Sequence, residues 1–185
     1  MIKVKAYIGV IGSGKSYQSK KECDTTISFA DSLREAVWRY LDWKPLNDEE
    51  YASFKGDRDI YYKDKFITGR ELFQIYGSHV RSKDIDYWVK RLVNKLDELK
   101  KLDDVWDANK TFNVGVDDCR YENEITGLID WCAENKVELT FIHSDYLSGN
   151  YNKTMKHESE KLAQRYAGNH YAYFDDMIKG IYTLV

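Results

Sequence analysis

The feature that most constrains this chain is the run Gly9-Val10-Ile11-Gly12-Ser13-Gly14-Lys15-Ser16, which fills every position of the pattern G-x-x-x-x-G-K-[ST]. Each position has a physical task. The glycines let the backbone curl, so that its N–H groups turn inward around a phosphate. The helix that follows directs its positive end at the same anion. The Lys15 ammonium reaches the β- and γ-phosphates, and the Ser16 hydroxyl binds Mg²⁺. The flanks fit as well. Ile2, Val4, Ala6 and Ile8 alternate with Lys3, Lys5 and Tyr7, which predicts a strand over 2–8. A helix is predicted from Gly14 to about Glu22. Such a loop binds a nucleoside triphosphate, but does not by itself say what the nucleotide is for.

The rest of the chain narrows the class. Its 185 residues suit one domain, and 43% of them are hydrophobic, enough for a real core. Lys plus Arg numbers 28 and Asp plus Glu 31, a formal charge of -3. That balance argues against tight electrostatic binding of bulk nucleic acid, so an anionic ligand must meet a local positive cluster. Cys23, Cys119 and Cys132 cannot all pair within one chain and lack metal-ligand spacing, and the histidines are scattered. Free thiols in a reducing compartment are expected, and a zinc site is not. No stretch approaches the ~20 apolar residues of a membrane span, and the first residues lack a signal-peptide core. The expectation is a soluble cytoplasmic protein with no membrane partner; a homodimer is compatible with the composition.

Beyond the loop, strand-like and helix-like segments alternate. Thr25 to Phe29 is β-prone. Asp31 opens a helical segment with Leu33, Val37, Trp38 and Leu41, and residues 47–65 read as a polar, aromatic excursion off the core. Thr68 and Glu71 form a capping-box pattern for the next helix. Asp84 is expected to cap a helix whose stripe is Ile85, Trp88, Val89, Leu92, Leu96, Leu99 and Leu102. Thr111 to Val116 reads as a strand ending in Asp117-Asp118, Glu122 to Asn135 as a helix and Val137 to His143 as a strand. Residues 144–156 are polar, 157–166 helical, and 171–174 a last strand. This order implies an α/β fold, a parallel sheet flanked by helices, with residues of about 44–110 as a helical insertion. Ligands in such folds sit at the carboxyl ends of the strands. Asp31 and Asp117 to Arg120 are therefore the informative positions besides the loop.

A GTPase would need a guanine-reading N-K-x-D after a strand. Asn135-Lys136-Val137-Glu138 lies before one, and Asn135 reads as a helix terminus. A DNA-translocating ATPase would be longer. A small-molecule kinase fits better. With a phosphate as acceptor the nucleophile is already anionic, and the site needs positioning and neutralisation of crowded phosphates rather than a strong base. Arginine suits that task, because its fork matches phosphate oxygens. Of eight arginines, Arg120 follows a strand end and Arg70 begins a helix. Two other readings remain open: a P-loop kinase of another phosphorylated small molecule, such as dephospho-coenzyme A, and a nucleotide-binding regulatory ATPase.

Five segments, in order, resemble the phage-type deoxynucleoside monophosphate kinases. They are the loop Gly12-Ser13-Gly14-Lys15-Ser16; Phe29-Ala30-Asp31-Ser32-Leu33-Arg34-Glu35; Thr68-Gly69-Arg70-Glu71-Leu72-Phe73-Gln74, with Gly77 and Trp88-Val89 after it; Val116-Asp117-Asp118-Cys119-Arg120-Tyr121-Glu122-Asn123-Glu124; and His157-Glu158-Ser159-Glu160. Ser32 and Glu122 stand where that family carries proline. The resemblance implies a P-loop NTPase fold in a single kinase domain over 1–185, with a helical acceptor-binding region and a mobile lid. It implies transfer of the γ-phosphoryl of ATP to a deoxynucleoside monophosphate with Mg²⁺, and no nucleic-acid partner.

On that reading Gly12, Ser13, Gly14, Lys15 and Ser16 bind ATP, and Ser16 and Asp117 serve the metal. Lys15, Asp31 and Arg120 are the catalytic candidates. Asp31, Arg70, Gln74, Asp118, Arg120 and Glu124 are the acceptor-binding candidates. Asp31 would sit at the end of the second strand, as a metal, acceptor or N-cap residue. Either Asp117 or Asp118 organises the metal shell while the other orders Arg120. Arg70 and Gln74 are one helical turn apart, a phosphate clamp and a base or sugar contact. Residues 144–156 would form the lid, and Arg165 would touch the ATP phosphates on closure. Trp38, Tyr40, Trp43 and Tyr51 offer stacking faces, though core packing is the alternative for each.

Overall fold

The computed structural model describes residues 1–9, 12–103 and 110–143. In chain order these form β1 (Ile2–Ile8), α1 (Lys15–Glu22), β2 (Thr25–Ile27), α2 (Phe29–Leu41), α3 (Asp48–Gly56), β3 (Ile60–Tyr62), β4 (Lys65–Ile67), α4 (Gly69–Lys83), α5 (Tyr87–Asp103), β5 (Phe112–Cys119), α6 (Glu122–Asn135) and β6 (Glu138–His143). They divide into two compact units. The first holds Met1–Ser28 and the described residues from Val93 on, and the second holds Phe29–Leu92, so the boundary falls inside α5. The second unit begins earlier than the insertion read from the sequence at 44–110, because it takes in α2.

The first unit is built on a four-stranded sheet of order β2-β5-β1-β6. Its strand pairs are all parallel. Parallel neighbours need crossover connections, here supplied by α1 between β1 and β2 and by α6 between β5 and β6. The two crossovers run in opposite directions across the sheet, so right-handed connections put α1 and α6 on opposite faces. β1 is central, and this explains its burial. Ile2, Val4, Ala6 and Ile8 are buried as the alternation predicts, and Tyr7 of the other face is buried too. Its hydroxyl donates to Glu22 Oε2 at 3.1 Å and lies 3.5 Å from Cys23 Sγ at the end of α1. Burial, then Cys23 and Glu22, push the Tyr7 phenol well above its ordinary value. Val114, Val116, Ile125, Leu128 and Trp131 complete this core.

Gly115 of β5 sets the spacing of α1. A Cβ there would overlap Ser19 Oγ, so only glycine lets the helix seat this closely. Ser19 Oγ is 2.8 Å from Thr26 Oγ1. On α6 the indole of Trp131 donates to Asp97 Oδ1 of α5 at 2.7 Å. Asn135 ends the helix as expected. It accepts from Lys100 Nζ at 2.7 Å, and Lys136 takes the left-handed conformation (φ 55°) that ends α6 before β6.

The second unit has its own core of Val37, Ile67 and Leu72, with Leu33, Trp38, Phe54 and Phe73 packed against it. Trp38 is the hub of an aromatic cluster, with ring centroids of Trp43, Tyr51, Phe54 and Phe73 5.0–6.0 Å away. The capping box of α4 forms as its sequence predicts. Glu71 N donates to Thr68 Oγ1 at 3.1 Å, and Thr68 N donates to Glu71 Oε2 at 2.8 Å. Those bonds, the backbone one first, lower the Glu71 carboxyl.

The excursion over 47–65 is more ordered than its composition suggests. Asn47 caps α3, its side chain accepting from Glu50 N at 2.9 Å, while Glu50 Oε2 accepts from Leu46 N at 2.8 Å. β3 and β4 form an antiparallel hairpin whose turn uses Lys63 and Asp64 at positive φ. Asp84 is not the cap of α5. It ends α4, and α5 starts at Tyr87 after a turn in which Asp84 Oδ1 accepts from Asp86 N at 3.1 Å. Ile85 lies in that turn and is exposed, and Leu102 is exposed in the last turn, so the buried stripe is Trp88, Val89, Leu92 and Leu96.

The closest approach in the second unit is at Gly69, where a Cβ would overlap both the ring and the carbonyl oxygen of Phe54. A ring can rotate away, but a helix carbonyl cannot. Gly69→Ala is therefore expected to destabilise the protein by about 1–3 kcal/mol, the range for overpacking a filled site. Urea unfolding measures this as a lower midpoint at unchanged slope.

Candidate functional site

The glycine-rich loop leaves the carboxyl end of β1 and enters α1. Gly12 and Gly14 hold positive φ, 81° and 83°, the left-handed region that glycine alone occupies without strain. Gly14 is the N-cap of α1 and offers no side-chain cap. The first turn, Lys15-Ser16-Tyr17-Gln18, has no carboxylate either, so nothing acidic from the helix itself covers its positive end. Ser13 and Lys15 are buried, and Ser16 is exposed. The Lys15 ammonium lies inside the loop, donating to the Gly9 carbonyl at 2.7 Å and to Ser13 Oγ at 3.4 Å. Val10 and Ile11 of the loop lie outside the described residues.

The neighbouring strand brings the second group. Ile8 pairs with Cys119, so the loop and Arg120 leave the sheet at adjacent strand ends. The register slips between Ala6, which pairs with Val116, and Ile8, which pairs with Cys119. That places one extra residue on β5 in the Asp117-Asp118 stretch. A bulge of this kind re-aims side chains and recurs beside functional sites. The strand was expected to end at Val116; it runs on to Cys119, with Asp117 half-buried and Asp118 buried inside it.

Cys119 reports how the charges gather. Its thiol is pushed well above its ordinary value by burial first, then by the negative charges of Glu124, Asp118 and Asp117, with Lys15 opposing them. Lys15, Asp117, Asp118 and Glu124 thus lie within electrostatic reach of one buried point. Cys132, buried elsewhere on α6, is pushed up to about 12 by burial alone. Both are free thiols.

Glu124 has a defined job. It is 1% exposed, and its Oε2 accepts from Arg120 N at 2.7 Å and from Tyr121 N at 3.2 Å. A buried carboxylate thus fixes the backbone where β5 turns into α6, and with it the root of the Arg120 side chain. Tyr121 holds the N-cap position of α6 without a side-chain cap bond, and Glu124 at the third helical position reaches back to its N–H.

Asp31, Arg70 and Gln74 lie in the second unit. Asp31 is not at a strand end. β2 stops at Ile27 and α2 begins at Phe29, so Asp31 is in the first turn of α2. There it favours the helix dipole and accepts from Arg34 Nη2 one turn on. It is not an N-cap, because α2 already begins at Phe29, two residues before it. Arg70 is exposed and Gln74 half-buried on the same side of α4. Of the four aromatics, Trp38, Trp43 and Tyr51 belong to the aromatic cluster, and Tyr40 is 74% exposed. Arg165 and the 144–156 segment lie outside the described residues, as do the segments expected at 157–166 and 171–174.

One feature escaped the sequence reading: the Gly9 carbonyl as acceptor for Lys15, six residues on, which no spacing rule signals. Among the described residues no three His, Cys, Asp or Glu side chains converge as a metal cage, and no helix is long and apolar enough to cross a membrane. No protein-family profile matches the chain, and no curated protein matches it significantly.

Proposed function

We propose that this chain is a P-loop kinase that transfers the γ-phosphoryl group of ATP to deoxynucleoside 5′-monophosphates, giving ADP and the diphosphate. The observation that carries the reading is the complete G-x-x-x-x-G-K-[ST] loop at the end of β1, with Gly12 and Gly14 left-handed and the Lys15 ammonium inside it. The sheet order, in which β5 lies between β2 and β1, supports a P-loop NTPase fold. The phage-type kinase resemblance selects the acceptor.

The residues suit the nucleotide and its metal. Gly12, Ser13, Gly14, Lys15 and Ser16 would hold the ATP phosphates. Mg²⁺ takes one or two protein oxygens beside phosphates and waters, so Ser16 and Asp117 suffice without a three-ligand cage. Bound there, the ion would neutralise charge on the phosphates. Lys15 holds the β- and γ-oxygens and stabilises the charge that builds during transfer. In the first unit Arg120, rooted by Glu124, is the proposed contact to the acceptor phosphate, and Asp118 orders its end of β5. In the second unit Arg70 and Gln74 keep the acceptor-binding roles that the resemblance gives them. An acceptor phosphate oxygen forms a bond to the γ-phosphorus as the bond to the β,γ-bridging oxygen breaks, and ADP leaves with that oxygen. The acceptor oxygen is already ionised, so no strong base is required, and Asp31 acts as a positioning residue through Arg34. The 144–156 lid and Arg165 complete the proposal.

A coupled assay of ADP release against a panel of monophosphates tests the reading. Acceptor should stimulate ADP formation over the ATP-only background. A deoxynucleotide should exceed its ribo counterpart in kcat/KM by ~5-fold to ~150-fold, because burying one unsatisfied hydroxyl costs about 1–3 kcal/mol. In the same assay Arg120→Lys should raise the acceptor KM and leave the ATP KM within about twofold, since it keeps the charge and loses the fork. Equal rates on ribo and deoxy acceptors would remove the deoxynucleotide label. No stimulation by any monophosphate would move the chain to the regulatory ATPase class.

A further inference from the structure

The second unit carries a groove of about 470 Å³ beside α3, a volume within the range of small-molecule sites. Its floor is apolar. The rings of Trp43 and Phe54 have centroids 5.3 Å apart and planes at 34°, and Ile60 extends that surface. Trp43 is 42% exposed although it belongs to the aromatic cluster, so the fold leaves part of a large ring open to a ligand.

The groove is acidic at both ends. Glu49 and Glu50 stand in the first turn of α3, Asp57 is its C-cap, and Asp59 follows. Glu49, Ser53 and Asp57 are spaced i, i+4, i+8, so they follow one face of the helix for roughly 12 Å at 1.5 Å per residue. No lysine or arginine is among the residues lining the groove. Two basic residues of the same stretch are engaged elsewhere. Lys55 Nζ lies 4.0 Å from the centroid of the Tyr51 ring, and Arg58 pairs with Glu71 at 3.6 Å.

The four carboxylates differ in what they already hold. Glu50 Oε2 accepts from Leu46 N at 2.8 Å, and Asp57 accepts from the Ser53 hydroxyl. Glu49 and Asp59 are exposed and have no hydrogen bond or ion pair to any described residue. Glu49 suits the positive end of α3. Asp57 and Asp59 stand at the negative end, where the dipole disfavours a carboxylate and favours a cation. Each end of the groove thus has one uncommitted carboxylate, with aromatic rings between the two. A cation over such rings gains from their faces as well as from the carboxylates.

We propose that this groove binds a linear aliphatic polyamine, with an ammonium at each end and its methylenes along Trp43, Phe54 and Ile60. The charge pattern repels a phosphate, and a single ammonium would satisfy one end only. The groove contains no residue of the phosphate loop, so polyamine binding and phosphoryl transfer stand or fall separately.

Calorimetry on the full chain tests this at low ionic strength, without nucleotide, whose phosphates would compete for the cation. Spermidine should bind with a Kd below about 1 mM. It should bind at least ~10-fold more tightly than hexaamminecobalt(III), which has the same charge and no chain, the value of burying two methylenes. Glu49→Gln and Asp59→Asn should each weaken spermidine by ~2–5-fold, as one exposed ion pair does, and together by ~4–25-fold. Trp43→Leu keeps an apolar side chain and should cost ~2–5-fold through loss of the ring. Neither exposed carboxylate holds a bond in the fold, so both single variants should melt with the wild type. Equal affinity for hexaamminecobalt(III) would reduce the groove to a bare acidic patch and overturn the polyamine site. Wild-type spermidine affinity in the Glu49→Gln, Asp59→Asn double variant would overturn it too. A lysine-rich peptide that binds through the same residues, with no binding of spermidine, would assign the groove to a protein partner instead.

Discussion

Lys15→Ala is expected to lower kcat for ATP-dependent phosphoryl transfer by about 10²–10³-fold, the usual effect of removing one group that stabilises developing charge. The structure sharpens how this should look. The ammonium is buried and donates to the Gly9 carbonyl at 2.7 Å, so it is a fixed part of the loop. Removing it loses a charge-assisted hydrogen bond, about 1.5–3 kcal/mol, and also relieves the desolvation of a buried cation. These effects oppose one another, so stability should change by no more than about 2 kcal/mol. Thermal unfolding followed alongside turnover separates the two readouts. A folded Lys15→Ala variant with near-normal turnover would refute the P-loop reading.

The second large effect is on folding. Glu124→Ala removes a side chain that is 1% exposed and leaves the backbone N–H groups of Arg120 and Tyr121 without their acceptor. Each orphaned donor costs about 1–3 kcal/mol, and neighbouring losses are not additive. A total near 3 kcal/mol is expected. At roughly 2–4 °C per kcal/mol for a chain of this size, the melting temperature should fall by about 6–12 °C. Glu124→Gln retains a carbonyl oxygen for one or both donors and should cost less than half as much. If Glu124 only touched substrate, both variants would melt like the wild type. With kinase activity in hand, Glu124→Gln should raise the acceptor KM more than the ATP KM, because it loosens the root of Arg120.

Much of the architecture was legible because its signals are local. The strand over 2–8, the helix over 122–135 and the Thr68–Glu71 capping box each depend on residues within a few positions of one another, and each formed as expected. The failures share a cause. α3 was hidden by an aromatic, polar composition whose rings pack on Trp38, a residue distant in sequence. Asp84 looked like a cap for α5 because its spacing to Ile85 and Trp88 is helical. The tertiary fold instead ends α4 at Asp84 and exposes Ile85. Asp31 was misplaced because residues to Phe29 were read as strand, whereas β2 ends at Ile27 and Ser28-x-x-Asp31 is already a helix-start pattern.

The candidate site divides in the same way. The sequence alone determined the glycine-rich turn between β1 and α1, since a strand, glycines that take positive φ and a helix start are local signals. It also determined the parallel sheet, since strands joined by helices can pair in few other ways. Only the tertiary structure decided that Arg120 leaves the sheet beside the loop, because strand neighbours and register are properties of pairing between distant segments. The same pairing places the bulge at Asp117-Asp118 and turns Glu124 inward to hold Arg120.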